Sequence, residues 1–525
     1  MAEFLDTCVK HWIKYGPDGC PKCRFEAESG KPVEPHIVVE NESPPTDFRG
    51  TIDIAPAATT VTLSGALTGA GALAKSGPGR LDLDALNTFT GGTAVNAGDV
   101  RMVNTGCFGS GAVALNGSSN SATFRFAADA QTLPNKLTVT GTNNFVLIRG
   151  NNTLSQVDGN GTLQGGLVDS GTTLTFEGNM TAFSGAVRAG TVPNLRFNPS
   201  TGSAGALFDL GTGSCYLNTR NGNITVQLGA LAGGGNTELQ GARSADNPTT
   251  FVVGGKNLDT TFQGLIRDWT SIRLVNIVKT GAGTWTLTHA NTYTGTTTVN
   301  GGTLLVNNST GTGTGTNSVT VNSGGTLGGT GFIQGAVTIN SGGALAPGAG
   351  VGTLTLRSNL TLNGGAILRF ELGPTNASDR VVVSNSLVLG GTLNITAVAG
   401  FGPGSYTLFT RGGALSGSLP AIGSKPAGYS CAVNTDTPGQ VRLIVQAQTP
   451  PAIGGIALTN GSVLISGLGG PSNSVYYVLA STNLALPLSN WARVATNQFN
   501  GAGNFAVTNA LEPGQPQRFY LIQLP

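Results

Sequence analysis

The stretch Lys75-Ser-Gly-Pro-Gly-Arg-Leu-Asp-Leu-Asp-Ala-Leu-Asn-Thr-Phe-Thr-Gly-Gly-Thr-Ala-Val-Asn-Ala-Gly-Asp-Val-Arg-Met102 returns 204 residues later. The second copy is Lys279-Thr-Gly-Ala-Gly-Thr-Trp-Thr-Leu-Thr-His-Ala-Asn-Thr-Tyr-Thr-Gly-Thr-Thr-Thr-Val-Asn-Gly-Gly-Thr-Leu-Leu-Val306, identical at twelve of 28 positions without a gap. The shared positions are mostly Gly, Asn, Thr and alternating aliphatics, residues that turn and stack strands. A recurring unit of that kind points to a solenoid, whose repeats bury their apolar faces only against one another.

Weaker echoes surround the two copies. Asn179-Met-Thr-Ala-Phe183-Ser-Gly185 and Asn257-Leu-Asp-Thr-Thr-Phe262-Gln-Gly264 keep the Asn, aromatic and Gly of Asn87-Thr-Phe89-Thr-Gly91. A finer period takes Val319-Thr-Val321-Asn322-Ser-Gly-Gly-Thr-Leu327 to Val337-Thr-Ile339-Asn340-Ser-Gly-Gly-Ala-Leu345, 18 residues on. Each piece alternates apolar and polar residues and then breaks at Gly-Gly, which is a half-buried strand followed by a corner. The reading is all-β: a right-handed parallel β-helix with Val, Leu and Ile inside, Thr and Ser outside, and Asn and Gly at corners. At ~4.8 Å per rung, ~16–20 rungs predict a rod of ~75–95 Å.

Composition supports a β-solenoid over a helical one. Gly is 81 of 525 residues, about twice the usual ~7%, and with Thr, Asn and Ser it disfavours helix. Charged residues are 10% and net charge is +2, which offers no electrostatic case for nucleic acid or an anionic membrane. No stretch approaches the ~20 apolar residues of a transmembrane helix.

Three zones, joined by a short linker, are expected. Residues 1–50 hold 15 of the 54 charged residues, three of six cysteines and two of three histidines. Residues 51–446 form the β-helix. A linker at 447–455 leads to residues 456–525, where five short strand-like runs between turn signals predict a small β-sandwich with its Tyr and Trp in the core.

The unit Lys-x-Gly-x-Gly, Asn-Thr-[Phe/Tyr]-Thr-Gly, Thr-x-Val-Asn-x-Gly resembles the autotransporter-associated β-strand repeat, also called the passenger-associated transport repeat. Lys279–Val306 matches well, and Lys75–Met102 departs at Pro78, Arg80, Asp82 and Asp84. The resemblance implies a bacterial secreted or cell-surface β-helix, often adhesive, without naming an activity. The phrase Tyr477-Val-Leu-Ala-Ser-Thr-Asn-Leu484 with Asn490-Trp-Ala-Arg493 is similar to C-terminal modules of such proteins. Met1–Lys14 lacks the apolar run of a secretory leader, and the 79 residues after Gln446 are too few for a membrane β-barrel. The expectation is therefore export by another system, or a natural start elsewhere than Met1.

Candidate chemistry is sparse. Cys8-x2-His11 and Cys20-Pro-Lys-Cys23 have the spacing of a closed tetrahedral Zn²⁺ knuckle, with His36 as an alternative ligand. The competing reading is a reduced or disulfide-paired CPKC with unrelated neighbours. Cys107, Cys215 and Cys431 read as isolated small core residues. Asp82 and Asp84, at i and i+2 with Arg80 beside them, could hold Ca²⁺ in a polysaccharide lyase; a solvated outer face is the plainer reading. His289 stands where the first copy has Ala85. Gly-x-Ser-x-Gly and His-Glu-x-x-His are both missing, and Thr310-Gly-Thr-Gly-Thr-Gly-Thr316 reads as a flexible loop rather than a phosphate cradle. The expected role is a non-enzymatic, extracellular or cell-surface, adhesin-like rod contacting glycans or other surface components. The alternative is a polysaccharide-active lyase or hydrolase using outer-face carboxylates.

Overall fold

The computed structural model describes residues 49–524 except 56, 170–171, 245, 449 and 513. Cys8, His11, Cys20, Cys23 and His36 lie outside the described residues. Two compact units are present. The first runs to Arg369 and takes in Asp379–Thr392 and Phe409–Ala421; the second consists of Phe370–Ser378, Leu393–Leu408 and Ile422–Pro525.

The first unit is a parallel β-helix, part of a solenoid of about 15 turns. Each turn passes three sides. In the second repeat, Val275–Lys279 lies on the first side and Thr284–Leu287 on the second. The next turn repeats them as Thr297–Val299 and Gly302–Val306, in parallel register. The first repeat does the same with Ala72–Ser76 and Arg80–Leu83, followed by Thr93–Val95 and Gly98–Met102. The third side of these turns carries no strand. It is made by 87–89 and 291–293, the Asn-Thr-aromatic pieces of the motif. Elsewhere the third side is strand, as in Thr173–Phe176, Asn194–Phe197, Cys215–Thr219, Thr237–Gln240 and Leu265–Arg267.

Parallel register puts like side chains over like. Trp285, Leu304, Leu327, Leu345 and Leu368 form one inward column, each at most 1% exposed. Full burial of such a side chain stabilises by roughly 1.5–3 kcal/mol, so the column is a continuous apolar spine. At one corner Asn322 donates to Asn300, Asn340 to Asn322 and Asn363 to Asn340, at 2.7–2.8 Å. The equivalent corner of the first repeat has Asn116 donating to Asn96 at 2.9 Å. These amide ladders satisfy corner polar groups one rung at a time.

The other kept residues of the motif are bridges as well. The Asn87 carboxamide accepts from the Leu67 N–H of the preceding turn and donates to the Cys107 carbonyl of the next. Asn291 does the same between Ile266 and Gly313. Phe89 and Tyr293 fill the core beside them, and the Tyr293 hydroxyl is 2.6 Å from Thr297 Oγ1. Gly91 and Gly295 lie so close to the neighbouring backbone, at 2.5 and 2.1 Å from where a Cβ would be, that no side chain fits.

Lys75 and Lys279 are the part of the motif that composition did not explain. Both occupy inward positions, in phase with Leu73 and with Val275 and Ile277, and are 0% and 1% exposed. The Lys75 ammonium donates to the carbonyls of Ser76, Gly77 and Ala97. Lys279 donates to Thr280, Gly281 and Gly301, the equivalent three. Each lysine thus ties the corner of one turn to the corner of the next. Burial pulls both down to about 8, against the opposing pull of Asp53 and Asp99 on Lys75 and of Asp259 on Lys279.

The run expected as a flexible loop is packed. Thr312 and Thr314 are buried, Thr312 Oγ1 donates to the Gly315 carbonyl, and Gly313 N–H donates to Phe332. Its glycines sit where Val306, Asn308 and Tyr293 leave no space for a Cβ.

In the second unit, Ala452–Thr459, Ser462–Leu468 and Phe505–Ala510 form one antiparallel sheet, and Ala492–Gln498, Val475–Ser481 and Phe519–Gln523 another. Val463, Ile465, Phe505 and Val507 of the first meet Tyr476, Val478 and Ile522 of the second, with Phe499, in one core. This is the expected small sandwich. Residues 452–455, assigned to the linker by sequence, begin its first strand. Among the described residues the helical content is one 3-10 turn, Leu488–Asn490, and no helix is long and apolar enough to cross a membrane.

Candidate functional site

Asp82 is not on a solvated face. It points outward from Arg80–Leu83 yet is 5% exposed, because guanidinium groups cover it. Arg80 Nε lies 2.9 Å from one carboxylate oxygen and Arg101 donates to the other at 2.8 Å. Register explains the second contact: Asp82 stands directly beside Arg101 of the next turn. Asp99, in register with Arg80 on the next turn, pairs with Arg125 of the following turn at 2.6 Å. Burial raises the Asp99 carboxyl above the usual carboxylate range, opposed by Arg125. Asp84 lies past the strand end, exposed, with Asn104 donating to its backbone carbonyl. The two aspartates therefore do not converge on a cation. The second repeat has Thr284, Thr286, Thr303 and Leu305 in place of Arg80, Asp82, Asp99 and Arg101, so these charged departures of the first repeat form a ladder of ion pairs.

His289 lines a cavity of about 360 Å³ with Ser214, Asn236 and Glu238. That residue set invites comparison with a Ser–His–acid triad, which needs the base bonded both to the hydroxyl and to the acid. Here the Glu238 carboxylate is held by Arg267 at 2.5 Å and by Gln240 at 2.6 Å. His289 Nδ1 faces the Gln263 carbonyl at 3.1 Å. No hydrogen bond joins Ser214 to His289 among the described residues. Cys107 and Cys215 are buried, which pushes their thiols up to about 11 and 12, the inert state of a packed cysteine. Cys431 is half-buried. Among the described residues no three His, Cys, Asp or Glu side chains come together as a metal site.

A second cavity, of about 400 Å³, is open on the outer surface of the third side. Its floor is the outward column Thr153, Thr175 and Arg196, one residue per turn in direct register. Asn151, Asn198 and Arg220 flank that column. Arg196 continues in register to Asn218, whose carboxamide oxygen takes its Nε at 3.2 Å. Beyond it, the Arg243 guanidinium stacks 3.6 Å from the Trp269 ring centre, and Arg267 lies 5.4 Å from the same ring. Burial and the positive charges of Arg243 and Arg220 lower the Arg196 pKa. Arg267 is paired with Glu238, whereas Arg196, Arg220 and Arg243 form no ion pair among the described residues. Sequence reasoning missed this cluster because Arg196, Arg220, Arg243 and Arg267, although 24, 23 and 24 positions apart, belong to no motif.

The comparisons agree with the repeat reading. The family model described as passenger-associated-transport-repeat matches residues 73–102 and 277–306. Over 332 aligned residues, covering 49% of this chain, the chain is 31% identical to a protein of Brucella suis biovar 1 (strain 1330) named adhesin BmaC autotransporter. Over 120 residues, 23% of the chain, it is 32% identical to an extracellular serine protease of Serratia marcescens. The aligned parts amount to 9% and 11% of those relatives' lengths.

Proposed function

We propose that this chain, a passenger-associated-transport-repeat protein, is a non-enzymatic, adhesin-like β-helix exposed outside the cell, its side surfaces touching glycans or other cell-surface components. The observation that carries the reading is where its charged and polar groups go. The kept lysines and asparagines bridge one turn to the next, and of the two candidate catalytic carboxylates Asp82 is held by Arg80 and Arg101 while Asp84 stands apart from it past the strand end. What remains outward is rows of Thr, Asn and Arg at rung spacing. Such rows suit many weak contacts to an extended partner, whose summed strength exceeds that of any one. The resemblance to an adhesin passenger supports a surface role, and the same resemblance supports secretion.

The enzymatic alternative needed Asp82 and Asp84 to cooperate, and they do not meet. A Ser–His mechanism lacks its hydrogen bonds at Ser214 and His289. For the knuckle, Cys8, His11, Cys20 and Cys23 keep the residue types that would hold structural Zn²⁺; zinc stoichiometry of the full chain against a Cys20→Ser/Cys23→Ser variant tests it.

Adhesion is tested by coating beads with the purified full chain and counting beads bound to cultured epithelial cells and to glycan-coated surfaces. Saturable binding is expected. Its absence on every surface, or release of reducing ends from polyuronates or neutral glycans by the purified chain, overturns the reading.

A further inference from the structure

We infer that the open groove over Thr153, Thr175 and Arg196 is a binding site for an anionic glycan, a polysaccharide segment carrying sulfate or carboxylate groups. The inference rests on the adhesin-like reading and names the ligand chemistry of one surface within it. Three observations converge.

The first is unbalanced charge. In and beside the first repeat, Arg80, Arg101 and Arg125 each have a carboxylate beside them, on their own turn or the preceding one. In the groove, Arg196 and Arg220 approach each other and Arg243 without such a partner among the described residues. Clustered guanidinium groups repel, and an anion between them relieves that repulsion. The planar donor fork of arginine also matches sulfate and carboxylate oxygens in pairs.

The second is shape. The cavity of about 400 Å³ is a surface trough along the stacking direction, with its column of residues spaced one per turn. A trough of about 4.8 Å repeat suits an extended polymer rather than a compact small molecule.

The third is the chemistry of the lining. Thr153 and Thr175 hydroxyls and the Asn151 and Asn198 carboxamides offer donors and acceptors to sugar hydroxyls. No aromatic residue lines the trough, so nucleobases find none of the stacking platforms on which single-stranded nucleic acid relies. One carboxylate stands at the far end. Asp129 near Ala130 accepts from the backbone N–H groups of Ala130 and Asn151, which lower its pKa. That end is polar and acidic, the other cationic, so the acidic group of the ligand sits over Arg196 and Arg220.

The test uses the full chain on immobilised heparin, polygalacturonate, dextran and a single-stranded DNA of mixed sequence. Expected is saturable retention on heparin or polygalacturonate, little on dextran, and loss of retention as salt is raised. Retention on heparin alone assigns sulfate; retention on polygalacturonate alone assigns uronate. Arg196→Gln/Arg220→Gln is expected to weaken retention at least tenfold, and Arg369→Gln/Arg380→Gln, the same charge change elsewhere, less than twofold. Should the first variant melt early, Thr175→Asp keeps both arginines, gives Arg196 a carboxylate and is expected to weaken retention likewise. Equal loss in the control pair, unchanged retention in both groove variants, or single-stranded DNA bound as tightly as the polysaccharides overturns the inference. Cell binding separates it from the broader reading. Beads that bind cells equally with and without the groove arginines leave the adhesin-like role standing and remove the groove; beads that never bind remove the role.

Discussion

Two arginine-bearing surfaces of the same β-helix make opposite use of the same register. Around Arg80, Asp82, Asp99, Arg101 and Arg125, each guanidinium meets a carboxylate within its turn or the preceding one. Around Arg196 and Arg220, the residues beside the arginines are Thr175, Asn198 and Asn218, which are neutral. The scaffold places a side chain from each turn about 4.8 Å from the next. Whether that neighbour is an aspartate or a threonine decides between a structural ion ladder and a surface left open to a ligand.

That contrast is broken most severely by Asp82→Ala. Removing this buried carboxylate leaves the half-exposed Arg80 and Arg101 guanidinium groups without their partner, which costs about 2–3 kcal/mol. Urea unfolding of the first unit should show a loss of that order, whereas Arg196→Ala should stay within ~0.5 kcal/mol of wild type. Similar losses for the two would mean that both arginine sets are structural. Next in size is Lys279→Met. It leaves the carbonyls of Thr280, Gly281 and Gly301 without their ammonium donor, with an expected loss of roughly 1–3 kcal/mol, read from the same unfolding curves. If the variant is as stable as wild type, the lysine is not a tie between turns.

A smaller effect comes from copying the ladder's logic into the groove. Thr175→Asp places a carboxylate in register with Arg196, as Asp82 is with Arg101. An exposed pair of this sort is expected to add ~0.2–1 kcal/mol while weakening polyanion retention; a gain in retention would contradict the role given to free charge.

The smallest effect is a pH dependence. In the folded chain Lys75 and Lys279 have pKa values of about 8, below the 10.5 of an ordinary lysine. Between those values the unfolded chain holds more protons, so the contribution of these two groups to stability rises with pH. The cost of burying their charge is present in full below pH 8 and is relieved as pH climbs toward 10.5. The slope of Tm against pH in that window should be lower in Lys279→Met than in wild type; equal slopes would show that the lysine does not titrate there.

The sequence carries a readable signal for one of three features, half a signal for the second and none for the third. Alternation puts Lys279 in phase with Val275 and Ile277, facing inward, and both repeats keep that lysine, so a buried cation was legible. It was passed over because the other shared residues are neutral. The ion ladder was half legible: Arg80, Asp82 and Arg101 stood out as departures between copies, but their pairing depends on which residue of one turn lies beside which of the next. The groove was not legible at all, since Arg196 and Arg220 sit in turns without the motif.

Gly, Asn and alternating aliphatics by themselves determined the β-helix, because corner geometry and inward burial are local demands that each turn meets with nearby residues. Cys107, Cys215 and Tyr476 likewise read as packing residues and are buried. What only the tertiary structure decided is the company each charge keeps. Turns in this chain differ in length, from the 18 residues between Val319 and Val337 to the 28 between Leu387 and Leu415. Neighbours across the stack are therefore not at any constant spacing along the chain. The hydrogen-bond register of stacked strands sets those neighbours, and with them which arginines are satisfied and which remain free.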